Sequence, residues 1–90
     1  MTFAVKIDNV AKKKLSKLPK KVKKQIKDKI DELSEEPRPD DSSHLKSDRS
    51  KRYIRSGNYR IIYKIEDKEV LILVLAIGDR KDVYKRFGRR

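Results

Sequence analysis

The chain has 90 residues and a formal net charge of +12. Hydrophobic residues make up 36% and charged residues 44%, so we expect one domain with a modest core. Cysteine is absent, which excludes disulfides and thiolate metal sites. No apolar run approaches the ~18 residues of a membrane helix, and no signal-peptide pattern opens the chain. These features predict a soluble cytoplasmic protein.

The positive charge is unevenly distributed. Residues 1–31 contain eleven lysines against three acids, residues 32–48 are acidic, and residues 49–90 contain more arginine than lysine. Many lysines can simply solubilise a surface, but arginine forms a planar fork that suits phosphate. A total of +12 on so short a chain therefore favours a polyanion partner, with nucleic acid the first candidate.

The N-terminal third predicts a strand and two helices. Thr2–Ile7 alternates, with Phe3, Val5 and Ile7 toward a core. A helix over Val10–Leu18, capped by Asp8 or Asn9, follows. Its interior positions are predicted to be Val10, Ala11, Leu15 and Leu18.

A second helix is predicted to start at Pro19 and to stop before Pro37 and Pro39. Val22, Ile26, Ile30 and Leu33 recur at spacings of four, four and three, which places them on one stripe. The short link between the two helices predicts an αα-hairpin packed on a sheet. Further along, His44-Leu45-Lys46 favours a short edge strand, and the lone His44 is a poor metal candidate.

A β-hairpin is predicted over Lys51–Ile65, with Gly57-Asn58 as its two-residue turn. Counting outward from the turn pairs Ser56 with Tyr59, Arg55 with Arg60, Ile54 with Ile61, and Tyr53 with Ile62. Since side chains alternate along a strand, one face contains cations and a phenol while the other joins the core. The cationic face contains Lys51, Tyr53, Arg55, Arg60 and Lys64. The core face contains Ile54, Tyr59, Ile61, Tyr63 and Ile65.

The last strand is predicted over Val70–Ile77, an apolar run without alternation that indicates burial on both faces. Pairing Ile65 with Val70 would bring Gly78–Arg80 back beside the hairpin turn, close to Arg55 and Arg60. The tail, residues 81–90, has Val83, Tyr84 and Phe87 at a spacing compatible with a short helix.

Most familiar catalytic groups are missing from the sequence. It has no glycine-rich phosphate loop, no nucleophile elbow and only one histidine. What remains is a set of cations and phenols: Lys51, Tyr53, Arg55, Arg60, Arg80 and Tyr84. Converging guanidinium groups can clamp a phosphate and stabilise its transition state, and RNA supplies its own nucleophile, the 2′-hydroxyl. Such a site could cleave RNA without a metal, or the same residues could only bind phosphate or form ion pairs.

At these residues the sequence resembles RelE-type toxins of the RelE/ParE superfamily. The resemblance covers almost the whole chain and is most specific in IRSGNYRIIY (Ile54–Tyr63) and IGDRKDVY (Ile77–Tyr84). It implies an α+β fold, in which a twisted antiparallel sheet has an N-terminal helical hairpin on one face and a short C-terminal helix. It also implies a metal-independent, cofactor-free endoribonuclease that cuts mRNA in the ribosomal A site.

The resemblance implies a role for each site residue. Arg60 would contact the scissile phosphate, Arg80 would stabilise the transition state or leaving group, and Tyr84 would stack on or activate the nucleotide. Lys51 matches a catalytic lysine of some members, and Arg55 a commonly basic position. The general base stays open between Tyr84 and Lys51. Residues expected to bind RNA are Lys12, Lys13, Lys20, Lys21, Lys23, Lys24, Lys27, Tyr53 and Arg86.

Two departures from the family pattern stand out. Tyr53 occupies a position where relatives usually have Arg or Lys, and Asp79 precedes Arg80 where many have His or another base. The expected partners are an acidic, RelB-like antitoxin, the ribosome and mRNA. Two alternatives remain: a ParE-like inhibitor of DNA gyrase, and a relative that binds RNA without cutting it.

Overall fold

A computed structural model describes residues 2–79 and Val83. Over these residues the fold has five strands in one sheet and two helices that follow the first strand in the chain, which confirms the predicted α+β class. The elements in chain order are β1 (Ala4–Ile7), α1 (Asn9–Ser16), α2 (Lys20–Glu35), β2 (Ser43–His44), β3 (Arg52–Ser56), β4 (Tyr59–Glu66) and β5 (Leu71–Asp79). Neither helix has the length and apolar character that crossing a bilayer would require. The predicted C-terminal helix falls on residues outside the described part of the chain.

The sheet has the strand order β1-β5-β4-β3-β2. The strands β2 to β5 are antiparallel, and all four predicted hairpin pairs, from Ser56–Tyr59 to Tyr53–Ile62, are present. Gly57 has a φ of +61°, a conformation that glycine adopts without strain, so the turn lies where the sequence placed it. The prediction of an antiparallel sheet is wrong for β1, which runs parallel to β5. β1 is not joined to β5 by a hairpin, and it pairs with β5 at the edge of the sheet opposite β2, so no tight turn forces the two strands to run antiparallel.

The two helices cover one face of the sheet, which we call the helix face. The side chains of the predicted α2 stripe are buried there, with Ile26 and Leu33 fully covered. Of the two predicted caps, Asp8 is the one that caps α1, since its carboxylate accepts a hydrogen bond from the Val10 amide. Val10 itself is 57% exposed and Val5 37% exposed, so both predicted core positions were wrong. The helix α1 has only about two turns and packs on the sheet through buried Ala11 and Leu15, which leaves Val10 on its solvent side.

A second, smaller cluster packs on the opposite face, which we call the site face. It consists of buried Leu45, Ile62, Ala76 and Val83, with Tyr53 and Leu75 packed against it. Because β5 contributes side chains to both clusters, the prediction of a strand buried on both faces is confirmed. Leu75 is the extra residue of a bulge, since Ile62 pairs with Ala76 and Tyr63 with Val74.

The predicted pairing of Ile65 with Val70 was wrong, because Ile65 pairs with Ile72. Val70 has a φ of +51° and its amide donates to the Asp67 carbonyl, so it ends the turn before β5. A β-branched residue rarely adopts this conformation, and the sequence therefore favoured a strand residue there.

The loop after α2 is tied to the sheet by buried and half-buried polar groups. The Tyr63 hydroxyl, fully buried, donates to the Pro37 carbonyl at 2.8 Å. Arg52 donates to the Ser42 hydroxyl through Nη2 at 2.8 Å and to His44 Nε2 through Nη1 at 3.1 Å. These bonds fix β2 at the edge of the sheet, where it borders the site face.

Candidate functional site

Two arginines lie directly opposite each other on the hairpin. Arg55 on β3 pairs with Arg60 on β4, and both lie on the site face because Arg60 shares the side-chain alternation of Ile62. Like charges at directly opposed positions destabilise a sheet. A bound anion would relieve that repulsion, so the pair fits a phosphate site better than a purely structural hairpin.

The two arginines differ in exposure. Arg55 is exposed, as predicted for a residue that meets a ligand, whereas Arg60 is only 3% exposed. Every buried side-chain nitrogen and oxygen among the described residues has a hydrogen-bond partner, so this guanidinium is satisfied where it lies. Arg60 can therefore meet RNA only if its surroundings rearrange. The sequence predicted the correct face for Arg60 but not this burial.

Tyr53 joins the arginine pair to the hydrophobic cluster of the site face. The Arg60 guanidinium carbon lies 5.6 Å from the centre of the Tyr53 ring, within the range of a cation–π contact. The ring also packs against the cluster formed by Leu45 and its neighbours. Tyr53 thus orients Arg60 by its aromatic face, a role that Lys or Arg at this position could not perform.

Lys51 precedes β3 and forms an ion pair with Asp48, whose carboxylate also accepts hydrogen bonds from Ser50. The side chain of Lys51 is 21% exposed. The hydrogen bond from Lys51, and then those from Ser50, hold the pKa of the Asp48 carboxyl well below its usual range. Asp48 was not predicted to belong to the site. The Asp-x-Ser order of residues 48–50 is typical of an Asx turn and was the available signal.

A shallow pocket opens beside Tyr53 at the β2 edge. Its volume is about 280 Å³, and Ser43, His44, Lys46 and Tyr53 line it. Ser43 pairs with Tyr53 across β2 and β3, so the pocket lies on the site face. It offers hydroxyl, imidazole and ammonium groups next to the side chain of Tyr53.

The end of β5 returns to the start of β4. Gly78 pairs with Arg60 and Asp79 with Tyr59, which confirms that this end of β5 lies beside the hairpin turn. The Val83 amide donates to the Asp79 carbonyl at 3.1 Å, and Val83 is buried on the site face. Arg80, Tyr84 and Arg86 lie outside the described residues, and their roles stay predictions.

The lysines predicted to bind RNA lie on the helical layer, away from the arginines. Six are exposed and Lys23 is partly covered, as the predicted solvent face of α1 and α2 requires. A groove of about 380 Å³ on α2 is lined by Lys20, Lys23, Lys24, Lys27, Asp28 and Asp31. Because α1 and α2 pack on the helix face, these lysines and the hairpin arginines form two separate basic surfaces on opposite sides of the sheet.

Within residues 2–79 and Val83, no three His, Asp or Glu side chains are grouped so that they could hold a metal ion. His44 Nδ1 contacts the Arg49 carbonyl at 2.9 Å, so that nitrogen must donate. The other ring nitrogen then accepts from Arg52, and His44 has a structural role in the β2 edge.

Comparison with known proteins identifies the family. A family model for the ParE toxin of the parDE type II toxin–antitoxin system matches residues 5–84. The chain belongs to the RelE/ParE toxin superfamily. It is 32% identical over 94 aligned residues to the mRNA interferase toxin RelE of Escherichia coli K12, and the alignment covers all of this chain and 98% of that protein. The resemblance found in the sequence is thereby confirmed.

Solved structures agree with this assignment. The RelE–RelB complex of the archaeon Pyrococcus horikoshii contains a chain 31% identical, with a TM-score of 0.78, and the match covers 91% of this chain and 99% of that one. The intact E. coli RelBE toxin–antitoxin complex contains a match 30% identical, with a TM-score of 0.77 and coverage of 88% and 98%. The described part of the chain therefore has the RelE fold.

Proposed function

We propose that the protein is the toxin of a type II toxin–antitoxin pair and an endoribonuclease that cuts mRNA on the ribosome. The observation that carries the proposal is the paired Arg55 and Arg60 on the site face, flanked by Tyr53 and Lys51. This arrangement occurs in a chain that aligns over its full length with a protein named as an mRNA interferase.

The proposed reaction uses the RNA's own nucleophile. The 2′-oxygen attacks the adjacent phosphorus, its proton passes to a base, and the bond to the 5′-oxygen breaks as that oxygen gains a proton. The products are a 2′,3′-cyclic phosphate and a 5′-hydroxyl. Arg55 would neutralise the phosphate oxygens while charge accumulates, and Arg60 would do so once the groups that bury it have moved, a contribution of about 10²–10³ in rate per donor. Arg80 and Tyr84 are proposed from the family resemblance to complete the site.

The two basic surfaces suit a protein held between two RNA strands. The lysines of α1 and α2 would bind the ribosomal RNA backbone through charge alone, which makes binding strongly dependent on salt. The hairpin on the other side of the sheet would receive the codon. The pocket beside Tyr53, which Lys46 lines, would receive the neighbouring nucleotide.

An antitoxin is the proposed protein partner. The relatives from P. horikoshii and E. coli were solved in complex with RelB. With a net charge of +12, this chain suits an acidic partner that covers the lysine and arginine surfaces.

Gyrase inhibition is kept as a second candidate because the matching family model describes ParE toxins. Controlled expression followed by mapping of mRNA 5′ ends and of plasmid supercoiling separates the two. Codon-phased RNA cuts that are lost in Arg80→Ala and weakened in Tyr84→Phe support the proposal. Arg38→Ala is the matched control, because that half-exposed arginine pairs with Asp67 outside the site. Gyrase-linked DNA breaks without RNA cuts would overturn the proposal.

A further inference from the structure

The ion pair between Asp48 and Lys51 lies at the edge of the site face. The Leu45 amide donates to the Lys51 carbonyl at 3.0 Å, which continues the register in which His44 pairs with Arg52. Lys51 therefore shares a face with buried Leu45, and by alternation with Tyr53. This places its side chain on the site face, next to that of Tyr53 on β3.

The carboxylate of Asp48 is fixed by its own turn. One oxygen, Oδ1, accepts from the Ser50 amide at 3.0 Å and from the Ser50 hydroxyl at 2.6 Å. The other, Oδ2, accepts from the ammonium of Lys51, and the Lys51 amide donates to the Asp48 carbonyl at 3.1 Å. Both carboxylate oxygens of Asp48 therefore have donors within the turn, and one of those donors is Lys51 Nζ.

A lysine that acts as a general base must be a neutral amine with its lone pair directed at the 2′-hydroxyl. Here the nitrogen instead donates to an ionised carboxylate, which is the contact of an ammonium. We propose that Asp48 is a positioning residue that holds Lys51 as an ammonium, so that Lys51 supplies positive charge to the scissile phosphate and does not accept the 2′-proton. An ammonium has three donors, so it can contact Asp48 and a phosphate oxygen together. The inference rests on the proposed function and leaves Tyr84 as the base suggested by the family resemblance.

Substitutions of Lys51 separate charge from proton transfer. Single-turnover cleavage of mRNA on programmed ribosomes should be slower in Lys51→Ala by about 10²–10³-fold, the cost of one charge donor. Lys51→Arg keeps a permanent positive charge and should cleave within about ten-fold of the wild-type rate, with an unchanged pH profile. If Lys51→Arg is as slow as Lys51→Ala although both variants melt like the wild type, the inference is overturned.

A double-mutant cycle tests whether Asp48 acts through Lys51. Asp48→Asn alone should lower the cleavage rate by roughly ten-fold, which is within the range of coupling energies between contacting residues. In a protein that already carries Lys51→Ala, the same substitution should not lower the cleavage rate further. Asp67→Asn, which removes the partner of Arg38 and changes none of the site residues, is the matched control and should leave the rate unchanged. Equal losses from Asp48→Asn in both backgrounds would show a merely structural turn and overturn the inference.

The same experiment distinguishes failure of the inference from failure of the proposed function. Absence of cleavage by the wild-type protein would overturn the proposed function, and with it the role assigned to Lys51. Wild-type cleavage together with an inactive Lys51→Arg would overturn the role of Lys51 alone.

Discussion

The hydroxyl of Tyr63 joins the central strand β4 to the loop that follows α2. The side chain is fully buried, and its hydroxyl donates to the carbonyl of buried Pro37 at 2.8 Å. Tyr63→Phe keeps the ring and leaves that carbonyl without its donor. A hydrogen bond of this kind contributes about 1 kcal/mol, and an unsatisfied buried group costs about 1–3 kcal/mol. We therefore expect unfolding free energy to fall by about 1–2 kcal/mol, which lowers the melting temperature by roughly 4–16 °C in a domain of this size.

Urea denaturation and calorimetry measure this change, with an unchanged m-value as evidence that only stability is altered. Tyr59→Phe is the matched control, because that half-buried hydroxyl has no hydrogen-bond partner within the described residues. It should change the free energy of unfolding by less than about 0.5 kcal/mol. Equal values for the two variants would refute the reasoning that the Tyr63 hydroxyl anchors the loop.

Three further predictions concern the core, the hairpin turn and the loss of stability at acidic pH. Ile30→Ala should destabilise the fold by about 2–5 kcal/mol, whereas the exposed Val10→Ala should change it by less than about 0.5 kcal/mol in urea denaturation. Gly57→Ala should lower the free energy of unfolding by about 1 kcal/mol, because the φ of +61° strains any residue with a Cβ even though there is space for the methyl group. An unchanged free energy of unfolding in the same assay would contradict this. The pKa of Asp48 is lowered from its ordinary value of 3.8 in the folded protein. The ionised Asp48 carboxylate therefore stabilises the fold fully above pH 3.8, and this stabilisation is lost as the pH falls below that value. Melting curves of Asp48→Asn between pH 2 and 7 should therefore show a weaker acid dependence than the wild type.

Much of the fold was predictable because local signals agreed with one another. The stripe on α2, the Gly57-Asn58 turn and the apolar run of β5 each specify an element and its buried side. The parallel pairing of β1 was not predictable in this way, since the edge that a short strand joins depends on the whole sheet. Val10 was misplaced because a two-turn helix buries fewer residues than its pattern offers.

The side of the sheet on which each site residue lies could be predicted from the sequence, but the contacts between these residues could not. Alternation alone put Tyr53, Arg55 and Arg60 on one side of the hairpin, as the structure confirms. The burial of Arg60 and its contact with the Tyr53 ring depend on tertiary packing, which no local pattern encodes. The pairing of Lys51 with Asp48 was missed because residues 47–50 were interpreted only as a turn.

The central claim is that the protein cleaves mRNA and that Arg55 and Arg60 of the site face are needed for the cleavage. Purified protein should be mixed with ribosomes programmed with a defined mRNA, and the product ends mapped for Arg55→Ala, Arg60→Ala and the Arg38→Ala control. The account predicts wild-type cuts in one codon phase that leave a 2′,3′-cyclic phosphate, with rates about 10²–10³-fold lower for each site variant and unchanged for the control. Equal cleavage by the wild type and the site variants, or no cleavage by any of them, would contradict it.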